Sequence, residues 1–278
     1  MKKPVSSRKV TAKPANKGNT KMASKAKSAT AGEVRIIGGQ FKRRSISFID
    51  AQGLRPTPDR LRETLFNWLI ADIHGARVLD SCAGSGVLGF EALSRGAAHC
   101  TFIEMNAVQS QRLRYSAEQL RLDASQYQVI QGQAEQVLKK PAEFLLSLSP
   151  CLSAQSTSAS TSASTSTSAS ASASAPIDAH DSKQNSEHHI GPFNLVFIDP
   201  PYADDLWQPI LTALIEHQWI DATSVIYLEA DKDLTEQLAV LAATLRQNAA
   251  TADFQGFDCL KQTKVGQVVA GLYTLASS

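Results

Sequence analysis

The sequence predicts an α/β fold of the Rossmann-like type, with a doubly wound and mostly parallel sheet. Short apolar segments alternate with helical segments from residue 77 to residue 146, and the alternation resumes at residue 193. Such β-α-β repeats are typical of parallel strands joined by right-handed helical crossovers. Two further segments, 254–262 and 267–275, flank Val265-Gly266 and predict a closing antiparallel C-terminal hairpin.

The individual elements follow from apolar spacing and from turn residues. Before the sheet, a strand over 34–37, a Gly38-Gly39 turn and a strand over 44–48 predict a small basic β-element. A helix follows, which Thr57 or Asp59 can cap. The other predicted strands span 77–80, 98–104, 127–130, 195–198 and 224–228, and the other predicted helices span 90–95, 107–122, 134–146, 206–216 and 232–245.

Composition divides the chain into three parts, the last of which contains an insertion. Residues 1–31 hold nine basic residues and no acidic residue, which predicts a disordered basic arm. Residues 32–56 form the N-terminal β-element, and residues 57–275 form the main domain. Within that domain, residues 156–175 contain only Ser, Thr and Ala. We therefore expect 148–191 to be a disordered insertion.

Charge is distributed unevenly along the chain. Residues 1–60 hold fifteen Lys and Arg against three Asp and Glu, so the net charge of +2 divides into +12 there and −10 in the remainder. A strongly basic segment of this kind indicates a polyanionic partner.

The remaining composition excludes several classes of protein. No apolar run approaches the roughly 20 residues that cross a bilayer, and no apolar segment follows the basic arm as it would in a secretory signal. The four cysteines are widely spaced and form no CxxC pair. These features predict a soluble, cytoplasmic protein without a disulfide framework or a structural zinc site. Three histidines lie in the polar insertion, where we expect no metal site.

A glycine motif follows the first predicted strand of the sheet. Gly84-x-Gly86-x-x-Gly89 opens a helix, and Glu104 ends the next strand 20 residues after Gly84. This arrangement is typical of sites for adenosine cofactors, where the acid binds ribose hydroxyls. Asp80 distinguishes among these cofactors, because a carboxylate there would repel a pyrophosphate and attract the sulfonium or amino group of S-adenosylmethionine. Asp80 can also cap the helix or hold the loop through backbone N–H groups.

A second motif lies where the chain returns to the sheet. Four apolar residues, 195–198, end at Asp199-Pro200-Pro201-Tyr202. Proline cannot donate to a sheet and restricts the residue before it. The sequence therefore predicts a rigidly held acid at the carboxyl end of a buried strand, where ligands bind in open α/β sheets.

These motifs together carry a family resemblance. Asp80-x-x-Ala83-Gly84-Ser85-Gly86 with Asp199-Pro-Pro-Tyr202 resembles the class I S-adenosylmethionine-dependent methyltransferases that modify exocyclic amines of nucleobases. Arg35-Ile-Ile-Gly-Gly39, Leu54-Arg-Pro-Thr57 and the segment 59–68 are similar to the bacterial 16S rRNA guanine-N2 methyltransferases of the RsmD type. The resemblance covers residues 33–147 and 191–275.

The resemblance implies a set of site residues. Those implied for S-adenosylmethionine are Asp80, Ala83, Gly84, Ser85, Gly86, Glu104, Met105, Gln133 and Ala134. Gln133 departs from the family pattern, which often has Asp or Asn there. Those implied for catalysis are Asp199, Pro200, Pro201 and Tyr202. The basic residues expected to hold RNA phosphates are Arg35, Lys42, Arg43, Arg44, Arg55, Arg60 and Arg62.

Asp199 bears on the choice of base. Adenine-N6 enzymes usually have Asn at this position, whereas a guanine N2 amine lies beside N1–H and presents two donors, both of which a carboxylate accepts. We therefore expect an unstacked guanine, with Tyr202 on its face and with Asp199 and the Pro200 carbonyl orienting N2 towards the methyl group. Positioning and electrostatics would supply most of the rate enhancement.

Other functions are compatible with parts of the sequence. An adenine-N6 or DNA amino-methyltransferase, an NAD-dependent oxidoreductase and a non-catalytic RNA-binding protein of the same fold all remain alternatives. Asp80 argues against the oxidoreductase, and the intact Asp-Pro-Pro-Tyr motif argues against a non-catalytic protein. The expected partner is 16S rRNA or an assembling small ribosomal subunit, and we expect a monomer that contacts no membrane.

Overall fold

The computed structural model describes residues 31–49, 56–141, 143–144, 191–201 and 206–277. The strands are β1 (Ala31–Arg35), β2 (Ser45–Ile49), β3 (Arg77–Asp80), β4 (His99–Glu104), β5 (Tyr127–Gln131), β6 (Leu195–Ile198), β7 (Val225–Ala230), β8 (Phe257–Val265) and β9 (Val268–Leu275). The helices are α1 (Asp59–Trp68), α2 (Val87–Ser94), α3 (Ala107–Leu120), α4 (Ala134–Leu138), α5 (Trp207–Glu216) and α6 (Thr235–Leu245), with a short 3-10 helix at Ala249–Thr251. The predicted basic arm (apart from Ala31), the predicted insertion (apart from Gly191), Arg55 and Tyr202 lie outside the described residues.

Within this part of the chain, β3 to β9 form one seven-stranded sheet in the order β5-β4-β3-β6-β7-β9-β8. The first five strands in this order are parallel, and β9 and β8 add to β7 as an antiparallel hairpin. This confirms the predicted fold class. The strand order reverses beside β3, which has β4 on one side and β6 on the other. Ligands bind outside the carboxyl ends of strands at such a switch point.

Strand β6, in the middle of the sheet, is apolar throughout, and helices cover both faces of the sheet there. In β6, Leu195 and Phe197 belong to the core cluster that includes residues of α1, α2 and α3. Val196 and Ile198 belong to the opposite cluster, which includes residues of α5 and α6. All four side chains are fully buried. A strand buried on both faces has no polar alternation, which explains the continuous apolar run in the sequence.

The β1-β2 hairpin packs against the main domain. Ile36 and Ile46 lie in the same core cluster as α1 and α2. The loop between the two strands contacts the C-terminal end of α2, where the Ser94 hydroxyl donates to the Gly38 carbonyl at 2.5 Å. Gly39 has a φ of +71°, and a Cβ at this position would overlap the Ser94 carbonyl. The Gly-Gly turn is therefore required both by its backbone conformation and by its close approach to α2.

Three predicted helices differ from those observed by three residues or more, among them the helix predicted over 232–245, which begins at Thr235. The predicted helix 134–146 is interrupted, because α4 ends at Leu138 and Pro141 follows. Proline lacks an N–H group and disfavours helical geometry in the residue before it. Helix α2 begins at Val87 rather than at Phe90, directly after the second glycine of the loop.

Candidate active site

Three acidic residues meet at the switch point of the sheet. Asp80 ends β3, Glu104 ends β4 and Asp199 directly follows β6. Because these strands are adjacent and parallel, their carboxyl ends lie side by side. Asp80 is 3% exposed and Glu104 is 8% exposed. The arrangement concentrates negative charge in a region with little access to water.

The glycine loop connects β3 to α2 through two left-handed residues. Gly84 has a φ of +49° and Gly86 a φ of +75°, and Gly86 is the residue that precedes α2. The Gly86 N–H donates to the Ala83 carbonyl at 2.6 Å, which closes the turn. A Cβ on Gly86 would overlap the Leu113 side chain. Both the conformation and the space at this position therefore require glycine.

The third glycine serves packing. A Cβ on Gly89 would overlap the Phe102 ring and the Cys100 sulfur of β4. Helix α2 lies close enough to the sheet that only a hydrogen fits between them. In the Gly84-x-Gly86-x-x-Gly89 motif, the first two glycines therefore serve the conformation of the loop, and the third serves the packing of α2 against the sheet.

Asp80 holds the start of α2. Its Oδ2 accepts the Gly89 N–H at 3.1 Å, which is the loop-holding role considered from the sequence. The pKa of Asp80 is raised to about 7: burial is the main cause, the charge of Glu104 adds to it, and the Gly89 hydrogen bond opposes the rise. A cation bound beside Asp80 would favour its ionised form.

Glu104 holds the glycine loop from the neighbouring strand. Its Oε2 accepts the Gly84 N–H at 2.8 Å, and its Oε1 accepts the Asn106 N–H at 2.7 Å. Burial raises the pKa of Glu104, and these two hydrogen bonds oppose that effect. The Asn106 side chain in turn caps α3 by accepting from the N–H groups of Val108 and Gln109. Glu104 therefore holds the glycine loop and the start of α3 together at the end of β4.

Asp199 lies among other acids. Burial is the main cause that raises its pKa well above the usual range, and the charge of Glu229 on the neighbouring β7 adds to it. A hydrogen bond from the Thr57 hydroxyl to Asp199 Oδ2, at 3.2 Å, opposes the rise. Asp80 also raises the pKa of Asp199. The acids of the glycine motif and of the Asp-Pro-Pro-Tyr motif therefore interact electrostatically.

The remaining predicted residues flank these acids. Pro200 is buried and Pro201 is exposed. Met105 is 60% exposed next to Glu104. The Gly132 N–H donates to the Glu104 carbonyl at 3.1 Å, which brings the end of β5, with Gln133 and Ala134 after it, beside the end of β4. Ala83 and Ser85 are buried within the glycine loop, Ala134 is buried at the start of α4, and Gln133 is exposed.

Comparison with known proteins assigns the chain to a family. The family described as "Conserved hypothetical protein 95" matches residues 34–147 and 159–255. The chain belongs to this family, that of the RsmD-type methyltransferases. The RsmD-type resemblance inferred from the motifs is therefore confirmed.

Individual relatives agree with this assignment. "Ribosomal RNA small subunit methyltransferase D" of Haemophilus influenzae is 34% identical over 202 residues, which is 73% of this chain and 81% of that protein. The protein of the same name from Escherichia coli is 34% identical over 200 residues, covering 72% and 76% of the two chains. A solved structure of a putative methyltransferase from Escherichia coli is 28% identical and superposes with a TM-score of 0.57 over 88% of this chain and 98% of that one.

The basic residues predicted for RNA divide into two groups in this family member. Arg35, Lys42, Arg43 and Arg60 are exposed on the hairpin and at the start of α1. Arg44 is also exposed, and its guanidinium donates to the carbonyls of Gln119 and Leu120 at the C-terminal end of α3. Arg44 therefore also fastens the hairpin to α3.

The prediction that Arg62 contacts RNA is wrong. Its side chain is 0% exposed, and its guanidinium lies 2.7 Å from the buried Glu91 carboxylate and 2.5 Å from Asp59. It also donates to the carbonyls of Thr57 and Arg35, each at 3.0 Å. A buried charge requires such a complete set of partners, and a guanidinium engaged in this way is not available to a phosphate. The acid Glu91, within an otherwise apolar helix, is the sequence signal for a buried basic partner.

The predicted caps of α1 are also wrong. The residue at the N-cap position is Pro58, and no side chain caps the helix. The Thr57 hydroxyl donates to Asp199 instead, and Asp59 pairs with Arg62.

Three further residues of the site were not predicted. Glu229 follows an apolar strand segment, as Asp80 and Glu104 do. This pattern in the sequence indicates that Glu229 belongs to the same group of acids. The fully buried Gln109 donates to the Gly84 carbonyl at 2.6 Å and accepts the Ile49 N–H at 2.9 Å. It thus joins the hairpin to the glycine loop. Neither Gln109 nor the Thr57–Asp199 contact has a local sequence signal.

Within the described ranges, no group of three or more His, Cys, Asp or Glu is arranged to hold a metal ion. In the same part of the chain, no helix has the length and apolar character needed to cross a membrane.

Proposed function

We propose that this chain methylates the exocyclic N2 amine of a specific guanine in small-subunit ribosomal RNA, with S-adenosylmethionine as the methyl donor. Membership of the family and the names of relatives that are 34% identical support methylation of ribosomal RNA. The three acids Asp80, Glu104 and Asp199 support S-adenosylmethionine as the methyl donor, and Asp199 supports guanine as the target base. The observation that carries the proposal is that Asp199 lies at the switch point beside the buried Asp80 and the glycine loop.

The residues present fit S-adenosylmethionine. This cofactor supplies an electrophilic methyl group on a positively charged sulfur. Asp80 would attract its cationic part, because burial and the charge of Glu104 leave this carboxyl short of compensating positive charge. Glu104 would accept from the ribose hydroxyls while its backbone hydrogen bonds hold it in place. Met105, Gln133 and Ala134 would line the adenine side, at the ends of β4 and β5.

Asp199 would recognise the amine of the base. The guanine edge presents N1–H and the N2 amine as neighbouring donors, and one carboxylate accepts both. Adenine presents an acceptor nitrogen beside its amine, which a carboxylate would repel. The Pro200 carbonyl would accept the second N2 hydrogen. We therefore propose that the acid at this position selects guanine.

Asp199 would also take up a proton. An amine that gains a methyl group must lose one of its hydrogens as a proton, and the electron pair of that N–H bond stays on nitrogen. The raised pKa of Asp199 makes its carboxylate a suitable acceptor, because burial and Glu229 disfavour its ionised form. In this proposal the same carboxylate orients the amine before transfer and is protonated afterwards.

The hairpin and the start of α1 would hold the RNA backbone. Arg35, Lys42, Arg43 and Arg60 are exposed there, and Arg55 is included because it lies close to Arg60 in the sequence. Phosphate contacts of this kind position a substrate without reading its sequence. Tyr202 would stack on the face of the guanine instead, as the family resemblance implies.

The proposal is tested by mapping the product. The protein is incubated with labelled S-adenosylmethionine and either naked 16S rRNA or small subunits, and the modified nucleotide is identified by mass spectrometry. We expect N2-methylguanosine at one site. N6-methyladenosine, or label in DNA but not in ribosomal RNA, would show that the assigned base or substrate is wrong.

A further inference from the structure

Thr57 contacts the proposed catalytic acid from a distant part of the chain. Its hydroxyl donates to Asp199 Oδ2 at 3.2 Å across a separation of 142 residues. Thr57 is buried, and its hydroxyl does not serve as a helix cap, because α1 has no side-chain cap. The hydroxyl therefore acts on the carboxyl group that the proposed reaction uses.

The backbone of Thr57 is fixed by a buried ion pair. The Arg62 Nε donates to the Thr57 carbonyl at 3.0 Å, and the Arg62 guanidinium is held by Glu91. Pro58 follows Thr57 and restricts its backbone to extended conformations. A donor held in this way loses little conformational entropy when it orients a neighbouring carboxyl group.

The titratable groups around Asp199 are acidic or neutral, and they disfavour its ionised form, which a neutral hydrogen-bond donor favours. Glu229 lies on the neighbouring strand β7, Asp80 ends β3, and the half-buried Cys82 thiol follows Asp80. The first two raise the pKa of Asp199, and Asp199 in turn raises that of Cys82. Tyr227 donates to Glu229 at 2.9 Å, so that acid has a donor of its own. The hydrogen bond from Thr57 acts in the opposite direction, since it lowers the pKa of Asp199.

We infer that Thr57 is a positioning residue that orients the Asp199 carboxylate towards the target amine and keeps it ionised. This inference rests on the role proposed for Asp199. It assigns a chemical purpose to the threonine of the Leu-Arg-Pro-Thr segment.

The test compares three variants of the full chain. Thr57→Val keeps the shape of the side chain and removes the donor, whereas Thr57→Ser keeps the donor. Thr64→Val is the matched control, because the Thr64 hydroxyl donates to the Arg60 carbonyl within α1 and the proposed reaction does not use it. For each variant, kcat and KM for ribosomal RNA, affinity for S-adenosylmethionine by calorimetry, and the pH profile of kcat are measured.

We expect kcat of Thr57→Val to fall about ten-fold, as for the loss of one hydrogen bond to a charged group. The acid limb of its pH profile should move to higher pH, because Asp199 would then ionise less readily. Affinity for S-adenosylmethionine should be unchanged. Thr57→Ser should restore both kcat and the pH profile, and Thr64→Val should match the parent protein.

Two outcomes would overturn the inference. One is a Thr57→Val protein with the parental kcat and pH profile; the other is a Thr57→Ser protein as slow as Thr57→Val, which would indicate a packing role. Asp199→Ala separates this failure from that of the proposed function. If Asp199→Ala is inactive while Thr57→Val is normal, only the role of Thr57 is wrong. If Asp199→Ala is active, the proposed function of Asp199 is wrong as well.

Discussion

The Arg62 guanidinium lies 2.7 Å from the Glu91 carboxylate, and both side chains are fully buried. Glu91 also accepts the Ile37 N–H at 2.5 Å, and Arg62 donates to the carbonyls of Thr57 and Arg35. The pair therefore joins the hairpin, α1 and α2 in one network. This network sets the position of the exposed basic residues relative to the acids at the carboxyl ends of the strands.

Replacing Arg62 should destabilise the protein. In Arg62→Met the Glu91 carboxylate stays buried and keeps Arg95 as a partner, but it loses its fully buried partner, and breaking a buried pair costs about 3 kcal/mol. Urea unfolding followed by circular dichroism measures this loss. Arg60→Met, two residues away on the exposed side of α1, is the control and should change the free energy of unfolding by less than about 0.5 kcal/mol. Equal stability of the two variants would contradict a structural role for Arg62.

Arg60 should instead affect RNA binding. Arg60→Met is expected to weaken affinity for 16S rRNA and to reduce the slope of log K against log salt by about 0.7–0.9, the contribution of one phosphate contact. Fluorescence anisotropy at several salt concentrations measures the slope. Lys261→Met is the matched control. Lys261 is exposed on β8, one edge strand of the sheet, whereas the hairpin packs against α3, which contacts β5, the other edge strand. A slope that falls equally in both variants would indicate general charge rather than a binding surface.

Asp199 should be essential for methyl transfer and dispensable for the cofactor. Asp199→Ala is expected to lower kcat on ribosomal RNA by about 100-fold or more, since it removes both the orientation of the amine and the proton acceptor. Asp199→Asn should lose most of the same activity, because an amide turns a donor towards one of the guanine donors. Label transfer measures turnover, and calorimetry with S-adenosylmethionine checks that the pocket is intact. Near-normal turnover in either variant would contradict the assigned role.

The ionisation of Asp80 should make stability depend on pH. Its pKa is about 7 in the folded protein and about 3.9 in an unfolded chain. The folded state therefore binds more protons than the unfolded state between these values, and stability falls as pH rises through this window. Asp80→Asn removes this dependence, so it should raise the melting temperature more at pH 8 than at pH 5. The same variant should weaken binding of S-adenosylmethionine at pH 8. A melting temperature shifted equally at both pH values would contradict a titrating Asp80.

Two glycines with nearly the same positive φ distinguish the cost of backbone conformation from the cost of steric overlap. Gly86 and Gly75 have φ values of +75° and +74°, but a Cβ on Gly86 would overlap Leu113, whereas a Cβ on Gly75 would have no neighbour within 4 Å. Gly75→Ala should cost about 1 kcal/mol of stability from conformation alone. Gly86→Ala should cost several kcal/mol and abolish binding of S-adenosylmethionine. Urea unfolding of both variants measures the difference, and equal costs would show that the loop yields to the added methyl group.

Much of the fold was predictable because its signals are local. The apolar run before Asp199 indicated a strand buried on both faces, and the alternation of elements indicated a parallel sheet. Pro141 is visible in the sequence as well, but the apolar spacing around it predicts one continuous helix. In the β1-β2 hairpin, β1 lies two to three residues before the predicted strand 34–37, whereas β2 lies one residue after the predicted strand 44–48. The limits of both strands are set by pairing between them rather than by composition.

The sequence by itself determined the fold class, the glycine loop and the acids at the strand ends. A left-handed turn favours glycine, and an acid that ends an apolar strand lies at the carboxyl end of that strand whatever surrounds it. Tertiary structure alone decided which arginine is buried and which is exposed, since Arg60 and Arg62 are chemically identical and differ only in the face of α1 that they occupy. It also decided that Thr57 meets Asp199. A hydrogen bond between residues so far apart in the chain exists only because packing brings the start of α1 to the end of β6.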